Sequence, residues 1–269
     1  MTAAQRASAI DRGRWWTVLR RPPEARWRLL LFPHSGAGPY ALNPLLAAVD
    51  PGAEVLGLTL PGREHRFAEP LCTDPDEVMT SVEAEIAPLP PLRTVLFGCS
   101  MGALLATRVA ERFAGLCSEL IVAGQSPGDA HRWVDDAVEE ADLLRVLDAA
   151  GGVPAPLLED EQLRAGLLAR LRADLRLGAH AGCGFGRVRI SAPITVLGGL
   201  SDPLVPAGCL DGWAAHTEHG ARVLLLEGGH FAFLAERHRD RITELLAPPG
   251  ASRRVRMAPA THDRADMPA

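Results

Sequence analysis

Cysteine is scarce in this 269-residue chain, and its five cysteines include no Cys-x-x-Cys pair. An odd number without close spacing argues against a disulfide framework or a zinc site, because both need paired or clustered sulfur atoms. This usage is typical of a reducing compartment, so we expect a cytoplasmic protein. Long apolar runs are also lacking: no segment reaches bilayer length, and residues 1–16 have no apolar core of signal-peptide length.

Basic charge is in deficit as well. The 28 lysines and arginines are outnumbered by 33 acidic residues, giving a net charge of −5 and an isoelectric point near 6.0. This balance offers no electrostatic basis for binding nucleic acid. With 47% hydrophobic residues, the chain can build the core of one α/β domain. We therefore expect a monomeric domain over residues 14–247, without cofactor or metal, and disordered tails at 1–13 and 248–269.

Short apolar runs alternate with helical patterns, which is typical of a mostly parallel sheet flanked by helices. The predicted strands are 28–32, 55–60, 94–97, 120–123, 194–197 and 222–226. The predicted helices lie near 40–49, 75–87, 102–115, 207–217 and 232–246. Between residues 123 and 194 the alternation stops, and two helical stretches, 135–150 and 160–177, take its place. This segment, about residues 130–187, predicts a helical lid inserted between two strands.

The stretch Gly98-Cys99-Ser100-Met101-Gly102 stands where an apolar run turns into a helical pattern. A serine between two glycines at such a turn is typical of a nucleophile elbow, which exposes the hydroxyl above the sheet edge. Glycine is needed on both sides because the turn brings other backbone too close for a Cβ atom. The helix amino terminus also favours negative charge that develops on an attacked substrate. Ser100 is therefore the predicted nucleophile.

The same pattern occurs a second time, as Gly124-Gln125-Ser126-Pro127-Gly128. An elbow uses the N–H of the residue after the serine as an oxyanion donor, and Met101 has that N–H whereas Pro127 lacks it. No long helical pattern directly follows Ser126. We therefore interpret Ser126 as part of an ordinary turn at a strand end.

Polar residues follow the predicted strands at the edge where open parallel sheets bind ligands. Ser100 follows the third strand, Asp202 the fifth and His230 the last. Nucleophile, acid and base occur in this order in α/β-hydrolases. The predicted fold class is therefore an α/β-hydrolase, with a mostly parallel sheet and a helical lid insertion.

The acid and the base each have alternatives. Asp202 precedes Pro203 and could merely start a turn. Asp129, after the fourth predicted strand, and Asp211 are rival acids. Among nine histidines, His230 alone combines a final strand, two preceding glycines and a following helix.

Longer motifs accompany the elbow and carry a resemblance. They are Trp15-Trp16 with Pro22-Pro23, the Leu-Phe-Pro-His-Ser-Gly-Ala-Gly segment 31–38, the Leu-Pro-Gly-Arg-Glu-His-Arg-Phe segment 60–67, Gly151-Gly152-Val153-Pro154, Leu171-Arg172-Ala173-Asp174-Leu175 and Gly228-Gly229-His230-Phe231. Over about residues 15–246 the chain resembles type II thioesterases, the discrete editing hydrolases of polyketide and nonribosomal peptide assembly lines. Together these motifs are far more specific than the serine elbow.

The resemblance implies an enzyme that hydrolyses acyl thioesters on the phosphopantetheine of an acyl or peptidyl carrier protein. It implies that Ser100 is the nucleophile, that His230 is the base and that Asp202 orients it. Two alternatives stay open: an acyltransferase or cyclising release enzyme of the same fold, and a noncatalytic partner of an assembly line. The intact triad counts against the noncatalytic partner.

The same resemblance assigns roles around the triad. Segment 31–38 would form the oxyanion side of the site, with the backbone N–H groups of Ser35 and Met101 as donors. His34 and Arg63 would contact substrate. Acidic carrier proteins would be steered by arginines near the rim of the site, although some of these could be solvated helix faces. The arginines are Arg63, Arg66, Arg132, Arg170, Arg172 and Arg176.

Two positions depart from the family pattern. Cys99 stands where the family usually has histidine, and we interpret it as a small buried thiol beneath the turn rather than as a nucleophile. The glycine-rich segment 178–184 stands where the family usually has an acidic residue and a tyrosine. It predicts a looser lid or a reshaped acyl pocket.

Overall fold

A computed structural model describes residues 15–128, 139–151, 153 and 155–247. Seven strands form one sheet in the order β1-β3-β2-β4-β5-β6-β7. They are β1 (Trp16–Arg20), β2 (Trp27–Phe32), β3 (Ala53–Leu58), β4 (Thr94–Cys99), β5 (Cys117–Ala123), β6 (Ile194–Gly199) and β7 (Ala221–Leu226). Only β1 runs antiparallel to its neighbour among these strands, so the sheet is mostly parallel, as predicted.

Seven α-helices accompany these strands in the described part of the chain, and the last of them follows β7. They are α1 (Asn43–Leu46), α2 (Pro75–Ser81), α3 (Met101–Arg112), α4 (Glu140–Ala150), α5 (Ala155–Glu159), α6 (Glu161–Gly182) and α7 (Arg239–Leu245). A π-helical turn (Val82–Ile86) continues α2, and short 3₁₀ segments include Pro39–Leu42 and Ala207–His216. None of the described helices is long and apolar enough to cross a membrane.

All six predicted strands are present, and β1 is the strand that the sequence pattern missed. The predicted helix 207–217 is 3₁₀ rather than α, and the predicted helix 232–246 is two 3₁₀ turns followed by α7. The predicted helix start at residue 135 and both predicted tails lie outside the described residues.

The core has two layers, one on each face of the sheet. Successive side chains of β2 alternate between them: Leu30 and Phe32 join one apolar cluster, whereas Leu29 and Leu31 join the other. Every residue of β2 is buried, which is the pattern of a parallel strand covered by helices on both faces. The sheet is thus rigid on both sides, and its carboxyl edge stays available for a site.

Helices α4, α5 and α6 lie between β5 and β6, and we call residues 139–187 the insertion. It has a small apolar cluster of its own, built on Leu143, Leu147, Leu168 and Leu171. The second half of α6 joins the main core instead, through Leu177 and Ala181. The glycine-rich segment lies within α6, which runs unbroken to Gly182, and Gly178 is buried. A looser lid and a reshaped acyl pocket both stay predictions.

Candidate active site

Ser100 sits on a strained turn between β4 and α3. Its backbone has φ 52° and ψ −125°, a conformation that costs free energy for a residue with a side chain. The turn is held because the Ser100 N–H donates to the Ala123 carbonyl oxygen at 2.8 Å, which ties the elbow to the end of β5. The hydroxyl is therefore presented at the carboxyl edge of the sheet.

The glycine after the elbow allows a close backbone approach. A Cβ atom on Gly102 would lie 2.1 Å from the Phe32 carbonyl oxygen and 2.4 Å from that of Pro33. The first turn of α3 thus packs directly on the backbone at the end of β2. This contact brings the Met101 N–H next to the loop that contains Ser35.

The two expected oxyanion donors are backbone amides, one in the loop after β2 and one at the start of α3. Within the described part of the chain, neither the Ser35 N–H nor the Met101 N–H donates a hydrogen bond. Met101 opens α3, and first-turn amides have no partner inside their own helix. Backbone N–H groups without an acceptor in the protein can stabilise negative charge on an attacked carbonyl oxygen, so the oxyanion role of Ser35 and Met101 stays a prediction.

Asp202 and His230 lie on the loops after β6 and β7 and contact each other. The Nδ1–H of His230 donates to Asp202 Oδ2 at 2.8 Å, with the tautomer assigned from this partner. The other carboxylate oxygen accepts the N–H groups of Leu204 at 2.9 Å and Val205 at 3.2 Å. The acid is thereby fixed, and Nε2 of the imidazole is left as the basic nitrogen.

Burial of Asp202 raises its pKa, but the hydrogen bond and charge of His230 and the two backbone N–H groups outweigh this, so its pKa is lowered overall. The carboxylate is therefore ionised at neutral pH and can stabilise an imidazolium. The two loops are locked together, since the Ser201 N–H donates to the Gly228 carbonyl oxygen at 2.9 Å.

Gly124, the first residue of the second serine motif, makes room for the imidazole of His230, and the sequence analysis missed this role. A Cβ atom on Gly124 would lie 3.1 Å from His230 Cε1 and 3.3 Å from Nδ1. Gly124 also has φ +59°, which favours glycine. Because Gly124 directly follows Ala123, the imidazole lies beside the strand end that holds Ser100. The signal that could have indicated this role is the glycine at the end of β5, the strand that pairs with β4 before Ser100.

One rival acid, Asp211, is exposed on the 3₁₀ segment Ala207–His216. The other rival, Asp129, falls outside the described residues. Cys99 is completely buried beneath the elbow, and burial together with the charge of Asp202 raises its thiol pKa. Its side chain is thus inert, as expected of a buried thiol.

His34 lines the same site. Its ring stacks on Phe231 with centroids 4.5 Å apart. Burial, and then the charges of His230 and Arg63, lower its pKa to about 4. It is neutral at physiological pH, and its Nδ1 and the neighbouring Ser35 Oγ are buried without a hydrogen-bond partner. These two atoms suit contact with a polar substrate group. Contact of His34 with substrate stays a prediction.

The prediction that arginines form a basic rim around the site is wrong for Arg63 and Arg66, because both are buried. Arg63 is only 5% exposed and forms a bidentate ion pair with Asp174 of α6, with nitrogen–oxygen distances of 2.8 and 2.7 Å. Arg66 is 2% exposed and pairs with Glu69. Both guanidinium groups are committed to internal contacts, so they offer little charge to a docking protein. Arg132 lies outside the described residues.

The strained serine, the acid–base pair and the two candidate amides all follow strands at the carboxyl edge of a mostly parallel sheet, with helices inserted between β5 and β6. This combination defines an enzyme of the α/β-hydrolase class. In the described part of the chain, no group of three or more His, Cys, Asp or Glu side chains could hold a metal ion.

Comparison with known proteins gives the family. The model of the thioesterase domain matches residues 27–248, and the chain belongs to the thioesterase family. It is 34% identical over 250 residues to a probable cadicidin biosynthesis thioesterase of Streptomyces griseus, covering 89% of this chain and 67% of that protein.

Two solved structures are similar in fold and sequence. The RedJ thioesterase of the prodiginine pathway in Streptomyces coelicolor superposes with a TM-score of 0.71 at 26% identity, covering 84% of this chain and 91% of RedJ. The type II thioesterase BorB of the borrelidin cluster gives a TM-score of 0.67 at 27% identity, covering 86% and 96%. The resemblance to type II thioesterases is thus confirmed.

Proposed function

We propose that this thioesterase hydrolyses acyl groups from the phosphopantetheine arm of an acyl or peptidyl carrier protein, in an editing role for polyketide or nonribosomal peptide synthesis. The observation that carries the proposal is the 2.8 Å hydrogen bond between His230 and Asp202, on loops at the same sheet edge as the strained Ser100. Similarity to BorB, a type II thioesterase of a biosynthetic cluster whose length the chain covers to 96%, supports a discrete thioesterase that serves an assembly line.

The geometry supports acyl transfer through the serine. His230 Nε2 takes the Ser100 hydroxyl proton while the oxygen attacks the thioester carbonyl carbon. The C–S bond then breaks, the thiolate leaves with a proton from the imidazolium, and an acyl-serine ester remains. His230 next deprotonates a water molecule, which attacks the ester and releases the carboxylic acid. Asp202 stabilises the imidazolium in both halves.

The oxyanion formed in each half has two prospective donors. The Met101 N–H belongs to the first turn of α3, which Gly102 allows to pack on the backbone just before the loop of Ser35. In the proposed mechanism the N–H groups of Ser35 and Met101 point at the same oxygen. A lost donor of this kind typically costs about 10²–10³-fold in kcat. The insertion, acting as a lid, would exclude bulk water while the acyl group is bound.

The proposal is tested with carrier proteins loaded with short acyl phosphopantetheine groups. We expect the wild-type chain to release the free acid and the unacylated carrier protein, both measured by mass spectrometry. Ser100→Ala should abolish release, whereas the matched variant Ser126→Ala should retain it. A fluorophosphonate should label Ser100.

Three outcomes would overturn specific parts of the proposal. An adduct on Ser126 or Cys99 would displace the nucleophile. An ester, amide or macrocycle in place of the free acid would make the chain a transferase or a cyclising release enzyme. An intact acyl carrier protein after prolonged incubation would exclude this substrate class.

A further inference from the structure

A buried carboxylate joins the insertion to the oxyanion loop. Asp174 of α6 is 1% exposed, and its Oδ2 accepts the Gly36 N–H at 2.6 Å. The same carboxylate receives both terminal nitrogens of Arg63, which comes from the loop after β3. Three elements that are distant in sequence therefore converge on one side chain.

These bonds define the shape of the oxyanion loop. The Ala37 N–H donates to the His34 carbonyl oxygen at 3.2 Å, which closes a turn around Ser35. Arg63 holds the far end of this turn by donating to the Ala37 carbonyl oxygen at 2.9 Å. Asp174 holds the middle through Gly36. The Ser35 N–H, one residue earlier, is left free to point into the site.

Asp174 also stands at the boundary between two packing units. The α6 residues before it, Leu168 and Leu171, belong to the apolar cluster of the insertion, and Leu177 after it belongs to the main core. Leu167 reaches over the oxyanion loop, 3.9 Å from the position of a Cβ on Gly36. The insertion therefore docks on the loop through an apolar contact and through the carboxylate.

We propose that Asp174 is a positioning residue for catalysis: its carboxylate orients the Ser35–Gly36 segment, so that the oxyanion hole is complete only while α6 is docked. The inference rests on the proposed function for its reaction, although it applies to any acyl transfer at Ser100. It gives the insertion a part in stabilising the transition state, in addition to covering the site.

The rival explanation is that the Asp174–Arg63 ion pair serves stability alone. Removing one partner of a buried pair leaves the other charge uncompensated, so Asp174→Asn destabilises the fold under either explanation. The double variant Asp174→Leu with Arg63→Met replaces both charges by apolar side chains, which restores much of the stability. It leaves the Gly36 N–H without its acceptor and the Ala37 carbonyl oxygen without its donor. Arg63→Met alone keeps the bond from Gly36 to Asp174, so kcat lost beyond that variant is due to Asp174, and this is where the two explanations diverge.

The experiment measures kcat and KM on a small aryl acetate, together with the inhibition constant of a boronic acid that forms a tetrahedral adduct on Ser100. We expect Asp174→Asn to lower kcat by about 10²-fold with KM little changed, since misplacement by about 1 Å has this scale. Boronate affinity should fall by a similar factor, because the adduct oxygen occupies the oxyanion hole. The double variant should unfold near the wild-type temperature yet keep the low kcat.

Glu54→Gln is the matched control. Glu54 lies on β3, away from the site, and forms a buried ion pair with Arg28 at 2.6 Å. We expect this variant to lose stability without losing kcat or boronate affinity. The proposal is overturned if the double variant regains kcat together with stability, or if Asp174→Asn raises KM and leaves kcat unchanged.

The aryl ester separates this inference from the proposed function. A wild-type chain that cleaves the aryl ester but not acyl carrier protein would overturn the proposed substrate, and the Asp174 comparison would still be decided. A wild-type chain that cleaves acyl carrier protein, with a double variant as active as it is stable, would overturn only the role of Asp174.

Discussion

Replacing Gly102 by alanine tests whether the elbow depends on backbone contact with the end of β2. Ordinary helix propensity predicts that this change stabilises α3 by up to about 1 kcal/mol, because alanine is the better helix former. The structure predicts the opposite. The new Cβ would meet two backbone oxygens at 2.1 and 2.4 Å, well inside the 3.0 Å that real Cβ contacts keep.

Neither oxygen belongs to a flexible side chain, so relief requires that α3 and the β2 loop move apart by ~1 Å. That movement separates the Met101 N–H from the Ser35 N–H, which must point at one oxygen. A displacement of this size costs roughly 10²-fold in rate, and strain of this kind typically lowers stability by about 1–3 kcal/mol. We therefore expect Gly102→Ala to lose about two orders of magnitude in kcat and to unfold at a lower temperature.

The assay is aryl ester hydrolysis combined with thermal unfolding, and Gly166→Ala is the control. Gly166 also lies inside a helix, α6, but a Cβ there would have no atom within 4 Å. We expect the control to keep full activity and to gain slightly in stability. Wild-type kcat in Gly102→Ala would refute the claim that this contact places the oxyanion donors.

Three further predictions concern single side chains. Asp202→Asn should lower kcat by about 10⁴-fold, measured on acyl carrier protein, while Asp211→Asn stays near wild type; equal losses would displace the acid. The pKa of His34, lowered to about 4 in the fold, means that the unfolded chain binds a proton between pH 6.5 and 4 that the folded chain does not. The free energy of unfolding should therefore decrease as the pH is lowered from 6.5 to 4, by at most about 1.4 kcal/mol per pH unit from this group. His34→Gln should weaken this pH dependence in urea unfolding, and equal slopes for the variant and the wild type would contradict the prediction. Iodoacetamide should modify the exposed Cys183 and Cys209 but not Cys99, whose pKa burial raises; peptide mapping that finds Cys99 alkylated equally fast would contradict this.

Much of the fold could be predicted because buried parallel strands are continuous apolar runs. The strand β1 was not predicted because it is a five-residue edge strand whose pairing with β3 depends on residues about 40 positions away. Its outer half, Val18–Arg20, is only partly buried, so it lacks the apolar signal of the central strands.

Site residues that directly follow a strand could be predicted from the sequence. Site residues that depend on a contact with a residue far away in the sequence could not. Asp202 and His230 follow their strands directly, so their meeting follows from topology. Asp174 lies 138 residues from Gly36, and nothing local in its helix indicates that its carboxylate faces that loop. The buried arginines show the same limit, since a charge in a sequence does not reveal whether its partner lies inside the fold.

The separate apolar cluster of the insertion has a consequence for cooperativity. Leu143, Leu147, Leu168 and Leu171 bury one another without contributing to either layer on the sheet. Such a unit can open by local unfolding, at a free energy below that of the whole domain. Amide protons of α4 and early α6 should then exchange with deuterium faster than those of β4 and β5. Substitutions that repack this cluster should therefore leave the stability of the sheet unchanged.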